Sequence, residues 1–202
     1  MDNPVTPNPI GQLEQTVEEA QKAPTPVPTS DQLLERPLEI SMTLPTQAYF
    51  LSGIRDFTLS LTQNLTGFSE HWAFRFQAVV DELCNNAIEH GSAAGHTIEI
   101  KFISIRGKSL EVHVQDSGTA KEKMTARQLT ELYQERKQLM TKQYLGFRGR
   151  GLPKIVGEWT DEVSFEDAPQ GGIIVKVKKY LRKEEDKLSS TQQNDPTHLV
   201  LK

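Results

Sequence analysis

The chain has 202 residues, of which 25% are charged and 36% hydrophobic, with a formal net charge of −4. That length and balance suit one well-cored domain with polar extensions, and the acidic sign supplies no basic surface for nucleic acid. No apolar run approaches a membrane span, the first residues (MDNPVTPNPI) lack the basic start and apolar core of a secretion signal, and the single cysteine, Cys84, allows neither an intrachain disulfide nor a cysteine-rich zinc site.

Residues 1–37 hold most of the prolines, including Pro24, Pro26 and Pro28, and few large apolar side chains, so they read as a disordered arm. Folding is expected to begin with a strand at Leu38–Leu44, where Leu38, Ile40, Met42 and Leu44 alternate with polar neighbours. Phe50, Ile54, Phe57, Leu61 and Leu65 then recur at helical steps. A second helix is expected from an N-cap at Ser69 to a stop at Gly91, with Trp72, Phe76, Val79, Val80, Leu83 and Ala87 as its buried stripe.

Strands at Thr97–Ile105 and Leu110–Gln115 follow, joined by Arg106-Gly107-Lys108. An insert at 119–147 contains a helix opened by a Thr125/Gln128 capping box, with Met124 and Leu129 as a hydrophobic staple. Leu129, Leu132, Tyr133 and Met140 form its apolar stripe. A short helix from Leu152 and strands at Glu162–Glu166 and Gly172–Tyr180 complete the domain, and Lys178–Lys187 reads as a solvated charged run. The expected domain is 38–187, with a loose tail at 188–202. The order implies an α+β fold in which helices cover one face of a mixed, mostly antiparallel sheet.

Three segments at turning points between these elements carry candidate chemistry. Glu82 and Asn86, four apart, share one helix face. A carboxylate and an amide oxygen there suit a hydroxyl and a magnesium ion, although the pair alone fits a solvated face. Asp116-Ser117-Gly118 follows a strand, where an ionised Asp accepts a hydrogen bond from an exocyclic amino group and disfavours a carbonyl in its place. The same residues also make an ordinary turn. Arg148-Gly149-Arg150-Gly151 leads into a helix and offers backbone N–H groups and positive charge to phosphates, or serves as a hinge.

Taken in order, these segments resemble the N box and the two glycine boxes of the GHKL ATPase superfamily (the Bergerat fold), and within it the bacterial anti-sigma-factor serine/threonine kinases. The carriers are EL-CNN-A-IEHG at 82–91, DSG at 116–118, GRGLPKI at 149–155 and APQGG at 168–172. The resemblance spans roughly residues 38–181. It implies a two-layer α/β sandwich with ATP and Mg²⁺ as ligands. It also implies Glu82 as general base toward an acceptor serine, Asn86 as magnesium ligand and Asp116 as adenine acceptor. Gly118, Arg148, Gly149, Arg150 and Gly151 would line the phosphates and hinge, and the insert would be an ATP lid whose helix docks over the nucleotide and orders on binding.

The partners it implies are a STAS-type anti-sigma antagonist and a sigma factor, with a homodimeric, cytoplasmic kinase that contacts neither membrane nor nucleic acid. Two positions depart from the pattern. Ala120 stands where a second glycine is usual, and Ile173 where the last strand usually has threonine. They keep open a non-catalytic partner-binding module with a vestigial or structural nucleotide site. The catalytic half of a histidine kinase is a third reading, which the proline-rich arm disfavours. Cys84, Trp72 and Trp159 read as packing residues, and the five histidines show no paired metal spacing.

Overall fold

The computed structural model describes residues 36–141 and 151–182. The expectations for the arm up to Glu35, for the tail and for Arg148, Gly149 and Arg150 therefore lie outside the described residues.

Five strands form one sheet in the order β1-β2-β3-β5-β4: β1 Leu38–Pro45, β2 Thr97–Ile105, β3 Ser109–Gln115, β4 Glu162–Asp167 and β5 Ile173–Tyr180. All four pairings are antiparallel. The register sets Ile40, Phe102, Val112, Val177 and Val163 in one row across the sheet. Side chains alternate between faces along a strand, so this row and its neighbours two residues away build the inner face. There Ile98, Ile100, Phe102, Val112, Val114 and Val177 are buried.

Two helices cover that face: α1, Leu51–Leu61, and α2, Glu70–Asn86. Each runs on into a wider π-helical turn, Thr62–Thr66 after α1 and Ala87–Gly91 after α2. Every residue of the predicted α2 stripe is buried, and Phe57 meets Phe102 edge-on at 5.3 Å between ring centres. Burying such side chains contributes roughly 1.5–3 kcal/mol each before conformational entropy is counted. Three buried threonines on α1 and its extension donate to carbonyls one turn back, Thr58 to Ile54, Thr62 to Thr58 and Thr66 to Thr62, so none buries an unpaired hydroxyl.

The helix of the insert is α3, Ala126–Thr141. The capping box is present: Thr125 N–H donates to Gln128 Oε1 and Gln128 N–H to Thr125 Oγ1. From the far end of β4, the Asp167 carboxylate accepts the Ala126 N–H at 2.8 Å, as negative charge at a helix start favours. The helix packs on β4 and on the π-helical turn Gly151–Val156 through Tyr133, which is buried and lies 5.5 Å from the Phe165 ring.

Three readings change. Ser69 has the extended backbone of an N-cap, but its hydroxyl makes no capping bond and is buried without a partner. Gly91 ends its helix without a left-handed backbone, and its lack of a side chain has another cause, given below. Within the charged run, Lys179 is only 5% exposed. It is on the inner face of β5, with its ammonium 4.4 Å from the Trp72 ring centre and 3.3 Å from Asp161 Oδ1, where ion pairing and cation–π attraction offset burial. Residues 183–187 lie outside the described residues.

The outer face of the sheet is polar and pairs its own charges: Glu39 with Lys101, Glu111 with Lys178 and His113, and Glu166 with Lys176.

Candidate functional site

The site lies where the end of α2, the end of β3 and the start of β5 meet. Glu82 and Asn86 fall beside the α2 stripe because Val79, Val80 and Leu83 take the buried positions and a helix has 3.6 residues per turn. The Asn86 amide donates to the Glu82 carbonyl at 2.7 Å and to Glu82 Oε1 at 2.8 Å. Both amide hydrogens are then committed, which leaves Asn86 Oδ1 as the acceptor for a cation. Among the described residues no group of three or more His, Cys, Asp or Glu side chains gathers as a metal cluster. A single amide oxygen suits magnesium, which keeps several waters and takes its other ligands from phosphates.

Asp116 follows β3 directly, and its N–H bonds the Ile173 carbonyl at 3.1 Å. Its Oδ1 accepts two backbone N–H groups, Gly118 at 2.8 Å and Ile173 at 3.2 Å. Burial nevertheless raises the Asp116 pKa above the ordinary value, because desolvation outweighs those two bonds. Oδ2, which lies beside Gly91, has no hydrogen-bond partner among the described residues, so one acceptor is left unspent.

Two glycines, Gly91 and Gly172, make room for this carboxylate, and Gly118 makes room for Gly172. A Cβ on Gly91 would stand 2.3 Å from Asp116 Cγ, one on Gly172 2.4 Å from the Asp116 carbonyl oxygen, and one on Gly118 2.3 Å from the Gly172 nitrogen. None is a possible contact. Gly118 and Gly172 also have left-handed backbones, φ 62° and 89°, which side chains disfavour. The last residue of the π-helical turn after α2 is therefore a glycine because Asp116 fills the space a side chain there would need. The close approach that Gly118 allows within the chain is to Gly172.

A family model described as the histidine kinase-like ATPase domain matches residues 44–178. The chain belongs to this family. The match runs from the end of β1 to within β5 and so takes in the whole sheet order and both helices of the inner face. Membership places the chain in the GHKL superfamily, whose domains bind ATP, usually with Mg²⁺. No curated protein matches the chain in a direct sequence comparison.

In this histidine kinase-like ATPase domain the structure brings together Glu82 with Asn86, and Asp116 with Gly118. The two pairs are linked through Gly91, five positions after Asn86 at the end of the π-helical turn Ala87–Gly91. Arg148, Gly149 and Arg150 fall outside the described residues. Gly151 opens the π-helical turn Gly151–Val156, which Leu152, Ile155 and the buried Val156 fix to the core. Among the described residues no helix is long and apolar enough to cross a membrane.

Sequence reasoning missed the spatial role of Gly91 and Gly172 and the hydroxyls of Ser92 and Thr119. The paired glycines at 171–172 and Gly91 at the helix end were visible signals, but both read as ordinary turn and stop signs.

Proposed function

We propose that this protein is an ATP-dependent serine/threonine protein kinase of the anti-sigma-factor type. It phosphorylates a STAS-type antagonist and holds a sigma factor when that antagonist is modified. The observation that carries the reading is the hydrogen-bonded Glu82–Asn86 pair on the same helix that touches Asp116 through Gly91. One short run of chain thereby serves the adenine end and the phosphate end of a nucleotide.

The residues fit the ligand. Asp116 Oδ2, which has no hydrogen-bond partner among the described residues, is the acceptor for the adenine amino group, and Gly91 and Gly172 leave the room that the carboxylate itself occupies. Asn86 Oδ1 is the oxygen available to magnesium. The magnesium-bound triphosphate supplies the transferable phosphoryl group. Glu82, held by the Asn86 amide, accepts the proton of the acceptor serine as its oxygen attacks, and positioning with charge neutralisation does the rest.

The test is phosphotransfer. The purified chain is mixed with a STAS-domain antagonist and labelled ATP, and the product is assayed for acid-stable phosphoserine. Transfer that fails with Glu82→Ala while ATP binding persists supports the reading. Transfer by Glu82→Ala at the wild-type rate removes Glu82 as base, and acid-labile phosphate on the chain itself would revive a histidine-kinase role.

A second reading has its own observation. Ile173 is 7% exposed and turns an apolar side chain inward where the related pattern has a hydroxyl. A partner-binding module that holds nucleotide without turnover follows if ATP binds and no phosphate moves.

A further inference from the structure

The loop that carries Asp116 is tied to the chain following α2 by the side-chain hydroxyls of Ser92, Ser117 and Thr119. Thr119 Oγ1 accepts the Ala93 N–H at 2.9 Å and lies 2.7 Å from Ser117 Oγ. Thr119 N–H donates to the Gly91 carbonyl at 3.2 Å, and Ser117 N–H donates to Ser92 Oγ at 3.0 Å. Ser92 is buried. The backbone N–H groups of Ala93, Ser117 and Thr119 belong to neither helix nor strand, and all three find partners across this junction.

We propose that Thr119, with Ser92 and Ser117, is a positioning residue that sets nucleotide affinity by clasping the Asp116–Gly118 loop to the chain following α2. This rests on the ATP reading of the site. Asp116 Oδ1 is held by the Gly118 N–H, so its direction follows the backbone of residues 117–119. On its other side Gly91 stands against the carboxylate with no spare room. A loop free to shift by a fraction of an ångström would press Asp116 onto Gly91 or withdraw Oδ2 from the adenine amino group. The clasp fixes both distances at once, since Thr119 bonds the residue that touches Asp116 as well as Ala93 two positions beyond.

Thr119 also makes the discriminating variants available. Thr119→Val keeps the shape and removes the acceptor, leaving the Ala93 N–H and the Ser117 hydroxyl without this partner. Thr119→Ser restores the oxygen. Mg-ATP titration by calorimetry is expected to show a dissociation constant raised about tenfold for T119V, the size of one part-buried hydrogen bond lost. T119S is expected within about twofold of wild type on the same scale. Amide exchange in the nucleotide-free protein should speed up at Ala93 and Ser117 in T119V, with protection in the β2–β3 core retained.

Equal affinity of T119V and wild type would overturn the inference alone, as would unchanged exchange at Ala93. A wild type that binds no Mg-ATP would overturn the ATP reading and this role with it. Should T119V fail to fold, Ser117→Ala, which removes only the bond between the two hydroxyls, is expected to weaken binding in the same direction; unaltered binding by S117A would then count against the clasp.

Discussion

Asp116 and Glu111 lie five positions apart on one stretch of chain, and their surroundings push them in opposite directions. Glu111 is on the outer face of β3. Partial burial would raise its pKa, but hydrogen bonds from His113 and Lys178 outweigh that and lower it. Asp116, at the strand's end, is half-buried with no cationic partner among the described residues, and desolvation raises its pKa. The outer face answers Glu39, Glu111 and Glu166 with cations, as stability demands. The site keeps a carboxylate with one acceptor unspent, as ligand binding demands. A rise in a carboxylate pKa on folding means that the native state holds its proton more tightly. The charged form of Asp116 thus costs stability, increasingly so as pH rises through its folded pKa. Glu111 works the other way: its contribution is complete above the ordinary carboxylate range and disappears as pH falls through its lowered folded pKa.

The largest effect is expected where that contrast is erased in the site. Asp116→Asn keeps an Oδ1 acceptor for Gly118 and Ile173 and replaces Oδ2 with a donor that faces the adenine amino group. Nucleotide affinity should fall by about a hundredfold or more, two unfavourable contacts at ~1–3 kcal/mol each, while thermal unfolding of the free protein stays equal or moves upward. A marked loss of unfolding temperature would mean that Asp116 is a structural residue like Glu111.

Gly91→Ala comes next. Its methyl would stand 2.3 Å from Asp116 Cγ, so overpacking should cost roughly 1–3 kcal/mol and also weaken ATP binding, read by urea unfolding and calorimetry. The smaller counterpart on the outer face is Glu111→Gln, expected to cost about 1 kcal/mol at neutral pH because the hydrogen bonds are only partly screened from water. That difference should vanish in unfolding curves recorded below the folded pKa of Glu111. ATP affinity should not change.

The smallest effect concerns Cys84, whose thiol is pushed up to about 12 by burial and, secondarily, by Asp81. Its labelling by a thiol reagent at neutral pH should be negligible in the folded protein and rapid in denaturant.

The fold was readable in the sequence because its signals are local. The α2 stripe from Trp72 to Ala87 repeats at helical spacing, the strands alternate, and the Thr125–Gln128 capping box has a fixed spacing of three. The site was readable as a list of residues and their order. What the sequence could not display are contacts between distant positions. Gly91 looked like a helix stop because nothing local reveals that Asp116 fills its Cβ position. Ser92 and Thr119 stand 27 positions apart in the chain, with no periodicity to join them. Lys179 looked solvated because its neighbours are charged, whereas its own place in the pleat points it at Trp72. Ser69 has the composition of a cap, but its hydroxyl is turned into the protein.

The most direct test is calorimetric titration of Mg-ATP into the wild type and into D116N, with unfolding temperatures recorded on the same preparations. The account predicts saturable heat for the wild type, binding weakened by about a hundredfold or more for D116N, and a variant at least as stable as its parent. No heat from the wild type, or equal binding by both proteins, would contradict it.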